Sequence, residues 1–222
     1  MQSEPQQENN TQRPAALILD RKVPLFTARS TQGDINMQDM QGNWVILFSH
    51  PADFTPVCTS EFIAIQNNLE AFKELKCQVL GLSVDSIYSH IAWIKSIQQN
   101  FGVEIAFPII EDISMSISRA YGMLDEHSHS TSTVRAVFFI NPEGILRAKI
   151  LYPMQVGRSI SEILRTLAAL QHAEMHQATT PENWHPGDAM VPLAPTTIQE
   201  ANERQLEHAS PEWYYGASTT VN

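Results

Sequence analysis

The stretch Trp44-Val45-Ile46-Leu47-Phe48-Ser49-His50-Pro51-Ala52-Asp53-Phe54-Thr55-Pro56-Val57-Cys58 decides the fold. Trp44–Phe48 is an uninterrupted apolar run of strand length, the pattern of a strand covered on both faces. The end of the stretch reads as a helix start, with Thr55 at the N-cap, Pro56 at the first helical position and Cys58 at the third. Free backbone N–H groups and the positive end of the helix dipole at such a place favour a thiolate over a thiol. Buried free cysteine is also a common inert core residue, and the stretch alone leaves both readings open.

Outward from it, apolar runs alternate with segments of helical period. Glu61–Leu75 places Phe62, Ile65, Leu69 and Phe72 on one helical face. A strand follows at Gln78–Val84, a helix at Ile87–Gln99 and a short strand at Phe107–Ile110. Ser114–Tyr121 reads as a short helix stopped at Gly122, where a left-handed cap is easy. Val134–Ile140 and Ile145–Leu151 form a hairpin turned at Asn141-Pro142-Glu143-Gly144. A last core helix starts at Ser159 and carries Ile160, Ile163, Leu164, Leu167 and Leu170 at helical spacing. Strand–helix–strand units followed by an antiparallel hairpin and a helix predict an α/β, thioredoxin-like fold: a mixed central sheet with helices on both faces.

The expected organisation has three parts. Residues 1–13 bury almost nothing and read as a disordered tail without the basic and apolar regions of a signal peptide. Residues 14–176 form the domain. Residues 177–222, broken by Pro181, Pro186, Pro192, Pro195 and Pro211 but carrying Trp184 and Trp213, read as a C-terminal extension with a short helix at Ile198–Glu207. Proline-rich chain with aromatic anchors packs on its own domain or on a partner subunit.

Composition narrows the function. Of 222 residues, 43% are hydrophobic and 17% charged, enough apolar chain for one packed domain. A net charge of −10 without clustered Lys or Arg argues against nucleic acid. No apolar run reaches membrane-spanning length. Two cysteines exclude a disulfide scaffold and a thiolate-rich zinc site, and point to free thiols in a reducing, cytoplasmic compartment. His127-Ser128-His129 lacks a companion ligand cluster and reads as an exposed loop, so no metal and no cofactor is expected. Tyr214-Tyr215 reads as packing rather than as a stacking platform.

A charge partner for Cys58 stands at Arg135, at the entry of an apolar strand where an arginine is costly to bury without a reason. Pro51, Phe54 and Pro56 are stiff or bulky groups suited to shaping a dry, narrow pocket, and Thr55 offers a hydroxyl.

The run P-A-D-F-T-P-V-C-T-S-E, preceded by I-L-F-S-H, resembles the active-site signature P-x-x-x-T-x-x-C of the peroxiredoxins (the AhpC/TSA-type peroxidases), and most of all their one-cysteine subgroup. The resemblance continues through L-S-V-D-S at Leu82–Ser86, F-P-I-I at Phe107–Ile110, Y-G-M-L-D at Tyr121–Asp125 and V-R-A-V-F-F-I-N-P-E-G. It extends to L-Y-P-x-x-x-G-R at Leu151–Arg158 and T-P-x-N-W-x-P-G-D at Thr180–Asp188, covering roughly residues 20–195. It implies an enzyme that reduces hydrogen peroxide and organic hydroperoxides for antioxidant defence. By position, Cys58 matches the peroxidatic cysteine, which becomes sulfenic acid. Thr55 matches the hydroxyl that bonds thiolate and peroxide, Pro51 the residue shielding the sulfur, and Arg135 the arginine stabilising thiolate and developing oxygen charge. Glu61 and Arg158 match positions orienting the arginine, and His50 a histidine adjoining the pocket, although a satisfied core histidine reads equally well there.

Cys77 follows the helix that Cys58 begins. About fifteen helical residues at roughly 1.5 Å each put them about 20 Å apart, against the roughly 7 Å limit between Cα atoms of a disulfide. Some relatives carry a resolving cysteine in the extension, and this tail has none. A one-cysteine cycle closed by an external thiol (glutathione, thioredoxin or another dithiol) is therefore expected. The family commonly forms homodimers that build into rings, which leaves a second reading: a redox-sensing or chaperone-like oligomer switched by Cys58 oxidation. The phospholipase activity assigned to certain relatives depends on a serine before the Trp of the strand, where this chain has Asn43.

Overall fold

The computed structural model describes residues 17–124, 130–207 and 212–214. Its strands are β1 (Thr27–Ser30), β2 (Gly33–Asn36), β3 (Trp44–Ser49), β4 (Cys77–Ser83), β5 (Ile109–Glu111), β6 (Arg135–Ile140) and β7 (Leu146–Tyr152). They form one sheet in the order β2-β1-β5-β4-β3-β6-β7. The central β3, β4 and β5 run parallel, while β6 lies antiparallel to β3 and β7 antiparallel to β6. The helices are α1 (Pro56–Asn67), α2 (Leu69–Glu74), α3 (Ile87–Phe101), α4 (Ser116–Ala120), α5 (Ile160–His176) and α6 (Ile198–Glu207).

All of β3 is buried, and its alternation divides the interior into two cores. Trp44, Ile46 and Phe48 face a core that takes Phe62 and Ile65 of α1, Phe72 of α2, Trp93 and Ile97 of α3, and Ile163 and Leu167 of α5. Val45 and Leu47 face the other, with Met37, Ile117, Tyr121 and Phe138. The thioredoxin-like architecture and the hairpin are thus present. Asn141 Oδ1 accepts from Ile145 N, and Gly144 supplies the positive φ of +74° that the turn requires.

Three expectations need correction. The helix predicted over Glu61–Leu75 is two helices broken at Asn68, whose backbone sits at φ −109°, ψ 10°. Its side-chain amide donates to Ala64 O one turn back, the local competition that makes Asn a poor helix-interior residue. Thr55 has N-cap dihedrals but makes no capping bond; its Oγ1 donates backwards to Ala52 O at 2.9 Å. Phe54 does not wall the cysteine: its ring is 59% exposed and its backbone is left-handed at φ +57°. The hairpin β1–β2 and the 3-10 helix Met37–Met40 had no counterpart in the sequence reading.

The extension begins on its own domain. Trp184 is 2% exposed, joins Ala168, Ala169 and Met190 in a small cluster against α5, and donates Nε1–H to Asp188 O. Leu193, Ile198, Trp213 and Tyr214 are exposed. Residues 1–13, His127-Ser128-His129 and Tyr215 lie outside the described residues.

Candidate active site

Because β3 is parallel to β4 and antiparallel to β6, the end of β3, the end of β4 and the start of β6 meet at one edge of the sheet. Phe48 pairs with Val137, which carries Arg135 past the end of β3 to where α1 begins. Arg135 Nη1 lies 3.2 Å from Cys58 Sγ and also donates to Glu61 Oε2 at 2.8 Å. Its Nε donates to Met154 O at 3.0 Å. Glu61 stands one turn beyond Cys58 on α1 and also takes Arg158, with Nη2 on Oε2 at 2.7 Å and Nε on Oε1 at 3.0 Å. Arg158 Nη1 is spent on the carbonyls of Ser49 and Ala136, and its guanidinium stacks 4.8 Å from the Phe48 ring.

All four side chains are buried, Cys58 completely so. One carboxylate faces two guanidiniums, so the group carries one excess positive charge, and the sulfur faces it. Burying unpaired charge costs several kcal/mol per ion, and an anion at the sulfur position, whether a thiolate or a developing oxyanion, is the group that offsets it.

Pro51 is buried and Thr55 half-buried in the loop between β3 and α1. His50 has no exposed surface; its Nε2 bonds Asp53 Oδ1 at 2.9 Å. Burial lowers the His50 pKa below its ordinary value, against the raising effect of Asp53. Burial alone would raise the Asp53 carboxyl, but hydrogen bonds from His50 and His90 hold it well below the usual carboxylate range. The same loop carries the strained Phe54. A left-handed non-glycine residue costs about 1–3 kcal/mol, and two charge-assisted bonds to Asp53, at about 1.5–3 kcal/mol each, outweigh that.

Cys58, Arg135, Glu61 and Arg158, all expected at the site from the sequence, are in contact in the fold. Asp53, inside the quoted motif, and His90, a turn into α3, join the site without having been expected there. Cys77 stands far off: it pairs in register with Trp44 at the opposite end of β3. Burial pushes its thiol up to about 12. A groove of about 450 Å³ runs beside the first turn of α1 between Phe54, Thr59, Trp93 and Phe101. Among the described residues no helix is long and apolar enough to cross a membrane.

The AhpC/TSA family model matches residues 19–149, and the model for the C-terminal domain of 1-Cys peroxiredoxin matches 169–208. A peroxiredoxin of Thermoplasma volcanium is 46% identical over 198 residues, covering 89% of this chain and 97% of that protein. One from Aquifex aeolicus is 44% identical, covering 88% of this chain and 94% of its own. Among solved structures, a cysteine-to-serine mutant of peroxiredoxin 6 of Arenicola marina superposes with a TM-score of 0.80 at 31% identity, covering 93% of this chain and all of its own. The yeast mitochondrial 1-Cys peroxiredoxin, described as resolved through glutathione/thioredoxin systems, gives 0.80 at 34% identity over 91% of this chain and 100% of its own. With its cysteine held at the start of a helix against a buried arginine, the chain belongs to the peroxiredoxins, the AhpC/TSA family of thiol-dependent peroxidases.

Proposed function

We propose that Cys58 is the peroxidatic cysteine of a one-cysteine cycle acting on hydrogen peroxide and organic hydroperoxides. The observation that carries this is the 3.2 Å contact between Cys58 Sγ and Arg135 Nη1 inside a group with excess positive charge. The thiolate attacks the nearer peroxide oxygen, a new S–O bond forms as the O–O bond breaks, and the far oxygen leaves as hydroxide or alkoxide. That anion takes a proton to give water or alcohol, and sulfur is left as sulfenic acid. Arg135 donates to the attacking sulfur and to the negative charge developing along the S–O–O line. Thr55 has committed its hydroxyl proton to Ala52 O, so its lone pairs accept the peroxide O–H and orient the substrate. Pro51 shields the sulfur from water, and Glu61 and Arg158 fix the guanidinium plane of Arg135. His50 forms part of the pocket wall.

An external thiol then attacks the sulfenic sulfur, expelling water and leaving a mixed disulfide, which a second thiol reduces. Cys77, at the far end of β3, takes no part. Glutathione or a thioredoxin-type dithiol suits this role, as the description of the yeast relative suggests for that protein. Both cysteines are free thiols, which fits the reducing cytoplasm. The exposed apolar residues of the extension fit a homodimer, able to build into a ring, in which Leu193, Ile198, Trp213 and Tyr214 face the partner while Trp184 anchors the start of the extension.

Rapid mixing with peroxide, following thiol loss by mass, tests the reading. Cys58 should be oxidised far faster than free cysteine at the same pH, and Cys58→Ser should not react. A rate equal to that of free cysteine would rule the assignment out.

A further inference from the structure

A second buried ionic group lies beside the first; His50 belongs to it, and its other members, Asp53 and His90, have no part in the steps above. His50 and His90 have no exposed surface, and Asp53 is buried between them. Asp53 Oδ1 accepts from His50 Nε2 at 2.9 Å, and Oδ2 accepts from His90 Nδ1 at 2.8 Å. An ionised carboxylate only accepts, so both facing ring nitrogens carry protons. The outward nitrogens, His50 Nδ1 and His90 Nε2, have no hydrogen-bond partner among the described residues. His50 is thereby held as the Nε2–H tautomer. The ligand atoms of the three residues lie within 4.8 Å of one another, a grouping that invites a cation. Neighbouring ligands on a tetrahedral ion with bonds of about 2.0 Å stand roughly 3.3 Å apart, whereas these contacts are 2.8 and 2.9 Å, the lengths of hydrogen bonds.

The place of this group matters more than its composition. Asp53 lies between Pro51 and Thr55, and its backbone N–H bonds Asp85 Oδ2 at 3.0 Å, an oxygen also held by Ser83 Oγ at the end of β4. Its carboxylate reaches α3 through His90. One turn on, Trp93 Nε1 donates to Thr59 Oγ1 at 3.2 Å, on the residue after the reacting cysteine. Helix α3 therefore grips the chain on both sides of Cys58. Between the two grips sits Phe54 at φ +57°, a conformation that persists only where the surroundings over-determine it.

We propose that Asp53 and His90 are positioning residues for peroxide reduction: the shared carboxylate ties the loop Pro51–Thr55 to α3 and locks His50 in one tautomer. They act through Thr55, whose hydroxyl direction is set by Ala52 O within the same loop. The proposal rests on the assignment of Cys58 and Thr55 made above.

A double-mutant cycle of Asp53→Asn with Thr55→Val tests it, read as the second-order rate of Cys58 oxidation by hydrogen peroxide. Asp53→Asn alone should slow oxidation roughly 10- to 100-fold, the scale of a misplaced reacting group. In the Thr55→Val background it should cost less than about threefold, because the group being positioned is already gone. His90→Asn, which removes the same tie from the α3 side, should behave like Asp53→Asn and supplies the measurement if that variant does not fold. Nitrogen-15 spectra of the histidine rings should show His50 protonated at Nε2 in the wild type and lose that signature in Asp53→Asn. Rates within about threefold of wild type in both single variants, or full additivity with Thr55→Val, would overturn the proposal. A wild-type rate equal to that of free cysteine would instead overturn the Cys58 assignment, and this proposal with it.

Discussion

Arg135 Nη1 stands 3.2 Å from Cys58 Sγ, and the two residues, 77 positions apart, are brought together by the antiparallel pairing of β6 with β3. The same nitrogen is held by Glu61, so the guanidinium cannot swing away from the sulfur without breaking an ion pair. Replacing Arg135 by Met removes both contacts while keeping an unbranched side chain. Oxidation of Cys58 by peroxide should slow by roughly 100-fold, the scale of losing one preplaced donor to a developing anion. Stopped-flow rates across pH check this, and a pH–rate profile identical to wild type would remove Arg135 from its role.

Glu61 is one carboxylate shared by two buried arginines. Glu61→Ala leaves both guanidiniums without a counter-charge in the interior, which costs about 3–5 kcal/mol. Urea denaturation should show that loss, while Glu61→Gln should recover part of it by keeping an acceptor oxygen. A midpoint for Glu61→Ala equal to wild type would mean that water or another group takes over the charge.

Cys77 pairs with Trp44 at the far end of the sheet and its thiol is pushed up to about 12, so it stays protonated at neutral pH. Cys77→Ser should turn over peroxide with an external thiol within about twofold of wild type. Non-reducing peptide mapping of the oxidised wild type should show no Cys58–Cys77 bridge. Finding that bridge would replace the one-cysteine cycle.

Stability should fall as pH drops below the ordinary histidine range. His50 has a folded pKa below its unfolded value, so between the two the unfolded chain binds the proton and the folded chain does not. Its contribution is complete above about pH 6.5 and declines below that, by at most about 1.4 kcal/mol per pH unit. Asp53, also depressed, contributes above the ordinary carboxylate value and is lost as pH falls through and below about 4. Denaturation midpoints at pH 7, 6 and 5 should therefore decrease, and His50→Gln should flatten the decrease between 7 and 5.

Truncation after Gln177 removes Trp184, which is 2% exposed against α5. Loss of a buried Trp of this kind costs about 3–5 kcal/mol, so the truncated chain should melt earlier. Light scattering on the same sample reads the assembly: a dimer that persists would place the interface elsewhere than the extension.

How much was legible follows from what each feature needs. Trp44–Phe48, the Asn141–Gly144 turn and the Ser159 cap are local patterns, and each occurs where its sequence predicts. Thr-Ala-Arg-Ser and Gly-Asp-Ile-Asn, the strands β1 and β2, carry too little apolar alternation to be read, and owe their form to pairing with β5 and with each other. Asn68 broke a helix whose apolar spacing continued through it. At the site, Cys58 and Arg135 were legible as residue types in telling places. The His50–Asp53 bond is local, but the sharing of Glu61 by Arg135 and Arg158, and the reach of Asp53 to His90, join residues 37 to 97 positions apart, and only the folded chain makes those contacts. Phe54, expected at the pocket from its bulk, is exposed and lines the groove beside the first turn of α1.

The complete burial of Cys58 sets a size filter that changes sign during the cycle. On the proposed cycle hydrogen peroxide is the smaller visitor, whereas a protein or tripeptide thiol, which must meet sulfur at bonding distance, would need the first turn of α1 to open. If Cys58 runs the proposed cycle, a sulfenic acid held against the excess positive charge would be open to a second peroxide, which would carry it to sulfinic acid, beyond the reach of simple thiols. An oxidised chain would then face a race between opening of that turn and a second encounter. Interactions that stiffen the turn hasten the first reaction and lengthen the exposure to the second, so durability under heavy peroxide load depends on how loosely that turn is held.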